Sequence, residues 1–288
     1  REKEFIWIEW TPKPKRDPNS KKKKKQVSFP MMSSHEISAV RRVVVKVGSS
    51  SITGSKASQL EDLVSAIATW KKLSSQVILV SSGAIALGAP FLQLTNRPQD
   101  LATQQAAAAV GQTLLMSRYQ SLFKAFSITT GQVLLTLGDL DNETHRTNAL
   151  RTIERLLGLG ILPVVNENDT VATQEIRFGD NDRLAALVSV LVGADLLVLL
   201  SDVDGLYSHP PDDPRAKKIA NVPFGDSLEG IELGEALVNS VGTGGAVSKV
   251  SAARLATAAE IPTVLTATSS LSSIVEGNLS GTWFEPGP

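Results

Sequence analysis

A glycine-rich run, Gly242-Thr243-Gly244-Gly245, precedes a predicted helix from about Ala246 to Ala259, with Ser248 and Lys249 on its first turns. Glycines let backbone N–H groups approach a ligand, a helix N-terminus carries partial positive charge, and a lysine adds a full charge. A polyphosphate group requires these features. The run lacks the Walker spacing of a P-loop, so a simple helix cap is the alternative interpretation.

A second lysine, Lys46, interrupts the apolar run Val43–Val47. A lysine inside an otherwise apolar strand is unfavourable unless its ammonium group reaches an anion or the end of the strand. The alternative is an edge strand from which the lysine side chain extends into solvent. Together with Lys249, this residue favours a site for phosphate.

Carboxylates and amides are concentrated in two loops ten residues apart, Asn166-Glu167-Asn168-Asp169 and Gly179-Asp180-Asn181-Asp182. Such loops suit the binding of an ammonium group, of Mg²⁺, or of both. Helix capping by Asp180 or Asn181 explains part of this density. Ser201-Asp202, at the end of another apolar run, is interpreted either as a magnesium or ribose contact or as the start of a turn.

The elements that must position these residues are four short apolar runs, each ending in a loop rich in Gly, Ser, Asn or Asp. They are Val43–Val47, Val77–Val80, Ile161–Val165 and Leu196–Leu200. Apolar strands without alternation are typical of parallel strands buried between helices. In open sheets of this kind, ligands bind beyond the carboxyl ends of the strands. The sequence therefore predicts one doubly wound α/β domain with a site where the four loops gather.

Helical periodicity predicts helices over residues 58–73, 104–126, 142–157, 181–192 and 246–259. Further strands are predicted over residues 132–136, 263–265 and 281–284. The small residues of the 104–126 helix favour close packing against the sheet or a subunit. The turn-rich segment from Pro210 to Glu235 is predicted to be a surface excursion and not a linker between domains.

The composition excludes several classes of protein. The chain has 288 residues, 42% of them hydrophobic, and no cysteine, which rules out a disulfide scaffold, thiolate metal sites and a cysteine nucleophile. No apolar stretch reaches the roughly 20 residues of a membrane helix. We therefore expect a soluble, cytoplasmic protein.

The net charge of zero hides an asymmetry, because residues 1–30 hold ten basic and four acidic residues. The run Lys21–Lys25 lies among prolines and polar residues, a composition that cannot bury enough apolar surface to order itself. We predict a disordered extension here, with nuclear localisation or nucleic-acid binding as the alternative.

Taken in order, the motifs resemble those of the glutamate 5-kinases in the amino-acid kinase family. The segments that carry the resemblance are Val45–Ser49, Val80–Ile85, Asn166–Thr173, Phe178–Asp182, Leu200–Asp202, Gly205–Tyr207, and Gly242–Gly245 with Lys249. The resemblance implies a three-layer α/β/α sandwich with a mainly parallel central sheet. It also implies ATP- and Mg²⁺-dependent phosphorylation of the γ-carboxylate of L-glutamate, the first step of proline biosynthesis.

The resemblance further implies roles for individual residues. Lys46 and Lys249 would stabilise the transferring phosphoryl group, and Asp180 would organise the catalytic charges. The implied glutamate-binding residues are Ser82, Asn166, Asp169, Asn181 and Asp182. The implied ATP-binding residues are Lys46, Ser201, Asp202, Thr243, Gly244, Gly245, Ala246, Val247, Ser248 and Lys249. No protein ligand for a metal is assigned. Because the substrate carboxylate is already ionised, catalysis then needs positioning and charge stabilisation and no general base.

For the organisation of the chain, we expect a disordered basic extension over residues 1–36 and an amino-acid kinase domain over residues 37–288. Its N-terminal part would bind glutamate and its C-terminal part ATP, and the C-terminal RNA-modification-like domain of many bacterial relatives would be absent. Arg177 stands where many bacterial relatives have a lysine. The implied partners are L-glutamate, proline as a feedback inhibitor, and further copies of the chain in a dimer or tetramer, with neither nucleic acid nor membrane.

Two kinds of alternative function remain open. Acetylglutamate kinase and aspartokinase belong to the same family, but acetylglutamate has no free ammonium group for the acidic loops to bind. A non-catalytic amino-acid sensor on the same fold would have lost the catalytic lysines, whereas both Lys46 and Lys249 are present.

Overall fold

The computed structural model describes residues 40–53, 59–73, 75–94, 98–172, 181–231 and 245–288. The chain divides into two units, residues 1–30 and 31–288, and every described residue belongs to the second. The strands are β1 (Arg42–Val47), β2 (Gln76–Ser81), β3 (Thr130–Leu135), β4 (Leu162–Glu167), β5 (Leu196–Ser201), β6 (Leu206–Tyr207), β7 (Lys218–Ile219), β8 (Asn221–Val222), β9 (Thr263–Ala267) and β10 (Thr282–Phe284). The α-helices are α1 (Gln59–Lys72), α2 (Ala84–Gly88), α3 (Leu101–Lys124), α4 (Leu137–Asp141), α5 (Glu143–Gly158), α6 (Asn181–Val192), α7 (Ala246–Ala258) and α8 (Leu271–Val275).

Eight of the described strands form one sheet in the order β3-β4-β2-β1-β5-β9-β10-β8. The six from β3 to β9 are parallel, so their carboxyl ends lie at the same edge. At the far side, β10 is antiparallel to β9 and parallel to β8. Strand β1 has two neighbours in the sheet: β2, the next strand in the chain, lies on one side of it, and β5 lies on the other. The strand order therefore reverses at β1, which is where ligands bind in open α/β sheets.

Helices cover both faces of the sheet, and each face has its own hydrophobic core. Val43 and Val45 of β1 pack into a core shared with α1, α3 and α8. Val44 packs into a second core shared with α5, α6 and α7. These two cores confirm the predicted three-layer α/β/α sandwich. Because side chains alternate along a strand, Lys46 lies on the same face as Val44, the face that α6 and α7 cover.

Several predicted elements agree closely with the structure. The predicted helix over residues 181–192 coincides with α6, and α7 ends one residue before the predicted boundary. Helix α3 begins before the predicted 104–126 segment, because the Asp100 carboxylate accepts a hydrogen bond from the Thr103 backbone N–H at 2.8 Å and caps the helix there.

Other elements differ from the prediction. The short helices α2 and α4 were not predicted. The segment from Pro210 to Glu235, predicted as a surface excursion, also supplies β7 and β8. Strand β8 pairs with β10 and so forms one edge of the main sheet.

Two glycines let α2 and α3 approach each other closely. A Cβ atom on Gly88 would lie 1.9 Å from the carbonyl oxygen of Ala107, and one on Gly111 would lie 1.7 Å from that of Ala84. Neither contact can be relieved by rotating a side chain, because both obstacles are backbone atoms. Since α2 follows directly after β2, this contact fixes α3 beside the carboxyl ends of the strands.

We expect Gly111→Ala to lower the free energy of unfolding by about 3 kcal/mol, the upper part of the range for overpacking. Gly158→Ala is the matched control, because a Cβ atom at Gly158 in α5 meets nothing within 4 Å. That change should raise the free energy of unfolding by up to about 1 kcal/mol. Urea denaturation of both variants measures the difference, and equal effects would show that the helix contact is not tight.

Candidate active site

The centre of the site is a buried carboxylate between two lysines. Asp182 Oδ1 lies 2.5 Å from Lys46 Nζ, and Asp182 Oδ2 lies 3.0 Å from Lys249 Nζ. The Asp182 side chain is fully buried, and those of Lys46 and Lys249 are 3% and 8% exposed. Ser248 Oγ donates a further hydrogen bond to Asp182 Oδ2 at 3.0 Å.

Three elements from distant parts of the sequence bring these groups together. Lys46 lies on β1, Asp182 is the second residue of α6, and Lys249 is in the first turn of α7. Both helices pack on the sheet face toward which Lys46 points. Lys46 of β1 therefore meets the first turns of α6 and α7 at the carboxyl edge of the sheet.

Two of the three charged groups in this cluster are positive. Lysine ammonium groups buried in a protein need opposite charge and hydrogen-bond acceptors close by. The carboxylate supplies one such partner and holds the two ammonium groups on either side of it. Such a pair is suited to contact two oxygens of a phosphate group, and it adjoins the N-terminus of α7, which follows the N-cap residue Gly245.

A second polar cluster lies beside the first and consists of amides and a hydroxyl. Asn181 Nδ2 lies within hydrogen-bond distance of three acceptors, which share its two hydrogens: Ser82 Oγ at 2.8 Å, Asn166 Oδ1 at 2.7 Å and the carbonyl oxygen of Ser81 at 2.6 Å. Because Asn181 and Asp182 are consecutive residues of α6, the amide cluster and the lysine cluster share one helix start.

Helix α3 supports the amide cluster with two buried polar residues that the sequence analysis did not single out. Gln112 Oε1 accepts a hydrogen bond from Asn166 Nδ2 at 2.8 Å. Tyr119 OH lies 2.8 Å from Ser81 Oγ, and burial raises the pKa of the Tyr119 phenol, so it stays protonated. The sequence feature that could have identified Gln112 and Tyr119 is their spacing of seven residues, which places both on the same face of the helix.

The structure brings together many of the residues predicted for the site. The residues in direct contact are Lys46, Asp182, Ser248 and Lys249 in one cluster, and Ser82, Asn166 and Asn181 in the other. Asp169 follows β4, and Ser201 and Asp202 lie at the end of β5, so these three residues are at the same edge of the sheet. Gly245, Ala246 and Val247 form the start of α7.

Some predicted residues cannot be compared with the structure. Asp180, Thr243 and Gly244 lie outside the described residues, as do Arg177 and the predicted extension over residues 1–36.

Within the described part of the chain, no group of three or more His, Asp or Glu side chains is placed to hold a metal ion. Among the helices that the structure describes, none is long and apolar enough to cross a membrane.

Comparison with known proteins identifies the family. The family model described as "Amino acid kinase family" matches residues 41–267, which contain Lys46, Asp182 and Lys249. The chain belongs to this family. A solved member of the wider fold, "Carbamate kinase from Giardia lamblia bound to AMP-PNP", superposes with a TM-score of 0.63 over 87% of this chain and 100% of its own, at 17% identity. This likeness confirms the amino acid kinase fold.

Curated relatives share far more of the sequence. A protein of Clavibacter sepedonicus named "Glutamate 5-kinase" is 61% identical over 250 residues, which cover 87% of this chain and 96% of the relative. One of Leifsonia xyli with the same name is 61% identical over 251 residues, 87% of this chain and 93% of the relative. A third, from Streptomyces coelicolor, is 52% identical over 252 residues, 86% of this chain and 67% of the relative.

We expect Asp182→Asn to lower the free energy of unfolding by about 3–5 kcal/mol, because removing the charge of one partner of a buried ion pair is strongly destabilising. Asp204→Asn is the control. Asp204 accepts a hydrogen bond from Lys218 at 2.8 Å, but these side chains are 47% and 32% exposed, so the loss should be below about 1 kcal/mol. Urea denaturation of both variants tests this, and similar losses would contradict the importance of the buried cluster.

Proposed function

We infer that this chain transfers the γ-phosphoryl group of ATP to the γ-carboxylate of L-glutamate, giving γ-glutamyl phosphate and ADP in the first step of proline biosynthesis. The observation that carries this inference is the buried Lys46–Asp182–Lys249 cluster, found in an amino acid kinase that is 61% identical to relatives named "Glutamate 5-kinase".

The nucleotide occupies the side of the site formed by β1, β5 and the start of α7. Lys46 and Lys249 contact the phosphates, and the N-terminal backbone of α7, from Gly245, contributes further N–H groups. Ser201 and Asp202, at the end of β5 on the same edge, contact the rest of the nucleotide. Thr243 and Gly244, which lie outside the described residues, are assigned to ATP binding from the resemblance alone. Mg²⁺ would enter the site with ATP, because it commonly keeps substrate phosphates among its ligands, and it would supply neutralisation of phosphate charge.

Glutamate occupies the side of the site formed by the amide cluster. Ser82, Asn166 and Asn181 are joined by hydrogen bonds, and Asp169 follows β4 at the same edge. A carboxylate such as that of Asp169 is a suitable partner for the substrate ammonium group, and amides and hydroxyls suit both ends of an amino acid.

In the chemical step, an oxygen of the glutamate γ-carboxylate forms a bond to the γ-phosphorus, and the bond from that phosphorus to the β,γ-bridging oxygen breaks. No proton has to be removed, because the attacking carboxylate is ionised. Negative charge spreads over the transferring group and the leaving oxygen, and the two lysines stabilise it. Asp182 keeps their ammonium groups in place. Asp180 is proposed to organise charge from the neighbouring loop.

This role of Asp182 refines its assignment from the sequence, which grouped it with the glutamate-binding residues. Its carboxylate is fully buried against Lys46 and Lys249, which supports a positioning role more than direct contact with the amino acid. Asn181, its neighbour, keeps the predicted role in binding glutamate.

The alternative functions are not favoured. The curated relatives with 50–61% identity are named for glutamate and not for acetylglutamate or aspartate. A non-catalytic sensor would have no need of two lysines buried around one carboxylate, since burial of charge is unfavourable unless it is used or fully compensated.

The function is tested by turnover of free L-glutamate with ATP and Mg²⁺, with acetylglutamate and aspartate assayed in parallel. Because γ-glutamyl phosphate is labile, the product is trapped with hydroxylamine. We expect the hydroxamate to form with glutamate, and equal or faster turnover of acetylglutamate would refute the assignment.

Substitutions test the division of the site into two ends. Lys249→Ala should lower kcat by on the order of 10²-fold with little change in the KM for glutamate, because the lost contact acts mainly on charge that develops in the transition state. Asp169→Ala should instead raise the KM for glutamate. Steady-state kinetics with each substrate varied measures both, and the reverse pattern would show that the two ends are wrongly assigned.

Three further properties are part of the proposal. Proline would act as a feedback inhibitor that competes at or beside the glutamate site, which repeating the glutamate saturation curve with added proline would reveal. The chain would assemble into a dimer or tetramer. A cytoplasmic location would suit an enzyme that draws on the ATP and glutamate pools.

A further inference from the structure

Gln112 is a buried polar residue in the middle of α3 that adjoins the amide cluster, and its effect on substrate binding has not been considered so far. It is 8% exposed and directly follows Gly111, the glycine that lets α3 approach α2. Its Oε1 accepts a hydrogen bond from Asn166 Nδ2 at 2.8 Å. Its Nε2 is buried and has no hydrogen-bond partner among the residues that the structure describes. A buried donor without a partner is destabilising, so its presence requires a physical reason.

Two backbone groups fix the orientation of the amides around Gln112. The backbone N–H of Glu167 donates to Asn166 Oδ1 at 2.9 Å, so the Nδ2 end of Asn166 is the end that faces Gln112. The carbonyl oxygen of Ser81 accepts from Asn181 Nδ2 at 2.6 Å, so that end of Asn181 must be its donor end. A backbone N–H can only donate a hydrogen bond and a backbone carbonyl oxygen can only accept one, so neither assignment can be reversed.

The unpaired Nε2 of Gln112 follows from this arrangement. Turning the Gln112 amide would place its NH₂ group against the NH₂ group of Asn166, two donors facing each other. The orientation with an unpaired donor is therefore the one that gives Asn166 its acceptor. An apolar residue at this position would remove the unpaired donor, but it would leave the Asn166 NH₂ group, which is also buried, without that acceptor.

The same arrangement determines which atom of Asn181 remains available to a ligand. The two hydrogens of its NH₂ group are shared among acceptors of Ser81, Ser82 and Asn166. Its Oδ1 accepts no hydrogen bond from the residues that the structure describes. An amide oxygen held in this way is suited to accept a hydrogen bond from a substrate ammonium group.

We propose that Gln112 is a positioning residue for the amino-acid substrate: by accepting from Asn166 Nδ2 it holds the Asn166 side chain where its Oδ1 accepts from Asn181 Nδ2, so that Asn181 presents its own Oδ1 to the substrate ammonium group. This proposal rests on the proposed function, since it takes an amino acid as the ligand of the amide cluster. Gln112 itself does not contact the substrate.

The test compares two substitutions of Gln112 with a control on the same helix. Gln112→Met keeps the approximate volume of the side chain and removes the acceptor. Gln112→Glu keeps the shape and an acceptor oxygen, whether its carboxyl group is ionised or not. Gln120→Leu removes a different glutamine of α3, whose Oε1 accepts hydrogen bonds from the backbone N–H and the hydroxyl of Thr130 at 3.1 and 2.8 Å.

We expect Gln112→Met to raise the KM for glutamate about tenfold, the effect of losing one well-placed hydrogen bond between buried groups. Its kcat and its KM for ATP should change by less than about twofold, since the lysine cluster is not altered. Gln112→Glu should keep the KM for glutamate within about threefold of the wild type because the acceptor is retained. Gln120→Leu should leave all three constants unchanged.

Three results would overturn the proposal: an unchanged KM for glutamate in Gln112→Met, an equal rise in Gln112→Glu, or an equal rise in Gln120→Leu. If Gln112→Met does not fold, Gln112→Leu takes its place as the variant without an acceptor, with a raised KM for glutamate supporting the proposal and an unchanged KM overturning it. If the wild type does not use glutamate, the proposed function fails separately. Crystal structures then decide the role of Gln112, since a displaced Asn166 side chain in Gln112→Met supports it and an unmoved one overturns it.

Discussion

The attraction of two lysine ammonium groups to one carboxylate in the protein interior sets the conditions that the rest of this structure must meet. Removing three charged groups from water costs several kcal/mol for each ion, and their mutual attraction offsets this only when the geometry is good. The observed distances of 2.5 and 3.0 Å meet that condition. To form these contacts, the chain needs a lysine inside β1 and two helices, α6 and α7, that begin on the same face of the sheet.

The α/β/α architecture meets these requirements through simple rules of packing. Side-chain alternation along β1 directs Lys46 toward the layer that contains α6 and α7. Parallel strands place all the loops that follow them at one edge, so residues far apart in the chain become neighbours there. On the opposite layer, the close contact of α2 and α3 through Gly88 and Gly111 brings buried polar groups of α3 to the ends of β2 and β4. Each layer thus supports one of the two clusters.

The sequence predicted the parallel α/β architecture from local patterns, and its resemblance to the family implied a set of site residues, many of which the structure brings together while their roles stay predictions. Apolar runs that end in polar loops indicate parallel strands, and a lysine within such a run indicates a buried charge with a partner. It did not predict which carboxylate is that partner, since the Asp182–Lys249 contact spans 67 residues and Asp180 has the same chemistry two positions away. It also missed Gln112, because one glutamine in a helix is most often exposed. The five residues of α2 are too few to show a helical period.

The adjacency of Asn181 and Asp182 at the start of α6 has a consequence for substrate length. One residue belongs to the amide cluster and the next to the lysine cluster, and a helix fixes neighbouring residues at a rise of about 1.5 Å. The backbone spacing between Asn181 and Asp182 therefore cannot change without unwinding α6. In the proposed mode of binding, this helix start would set the distance between the substrate ammonium group and the reacting carboxylate. A substrate shorter by one methylene group would then be disfavoured, and discrimination of this kind is worth roughly 1–3 kcal/mol.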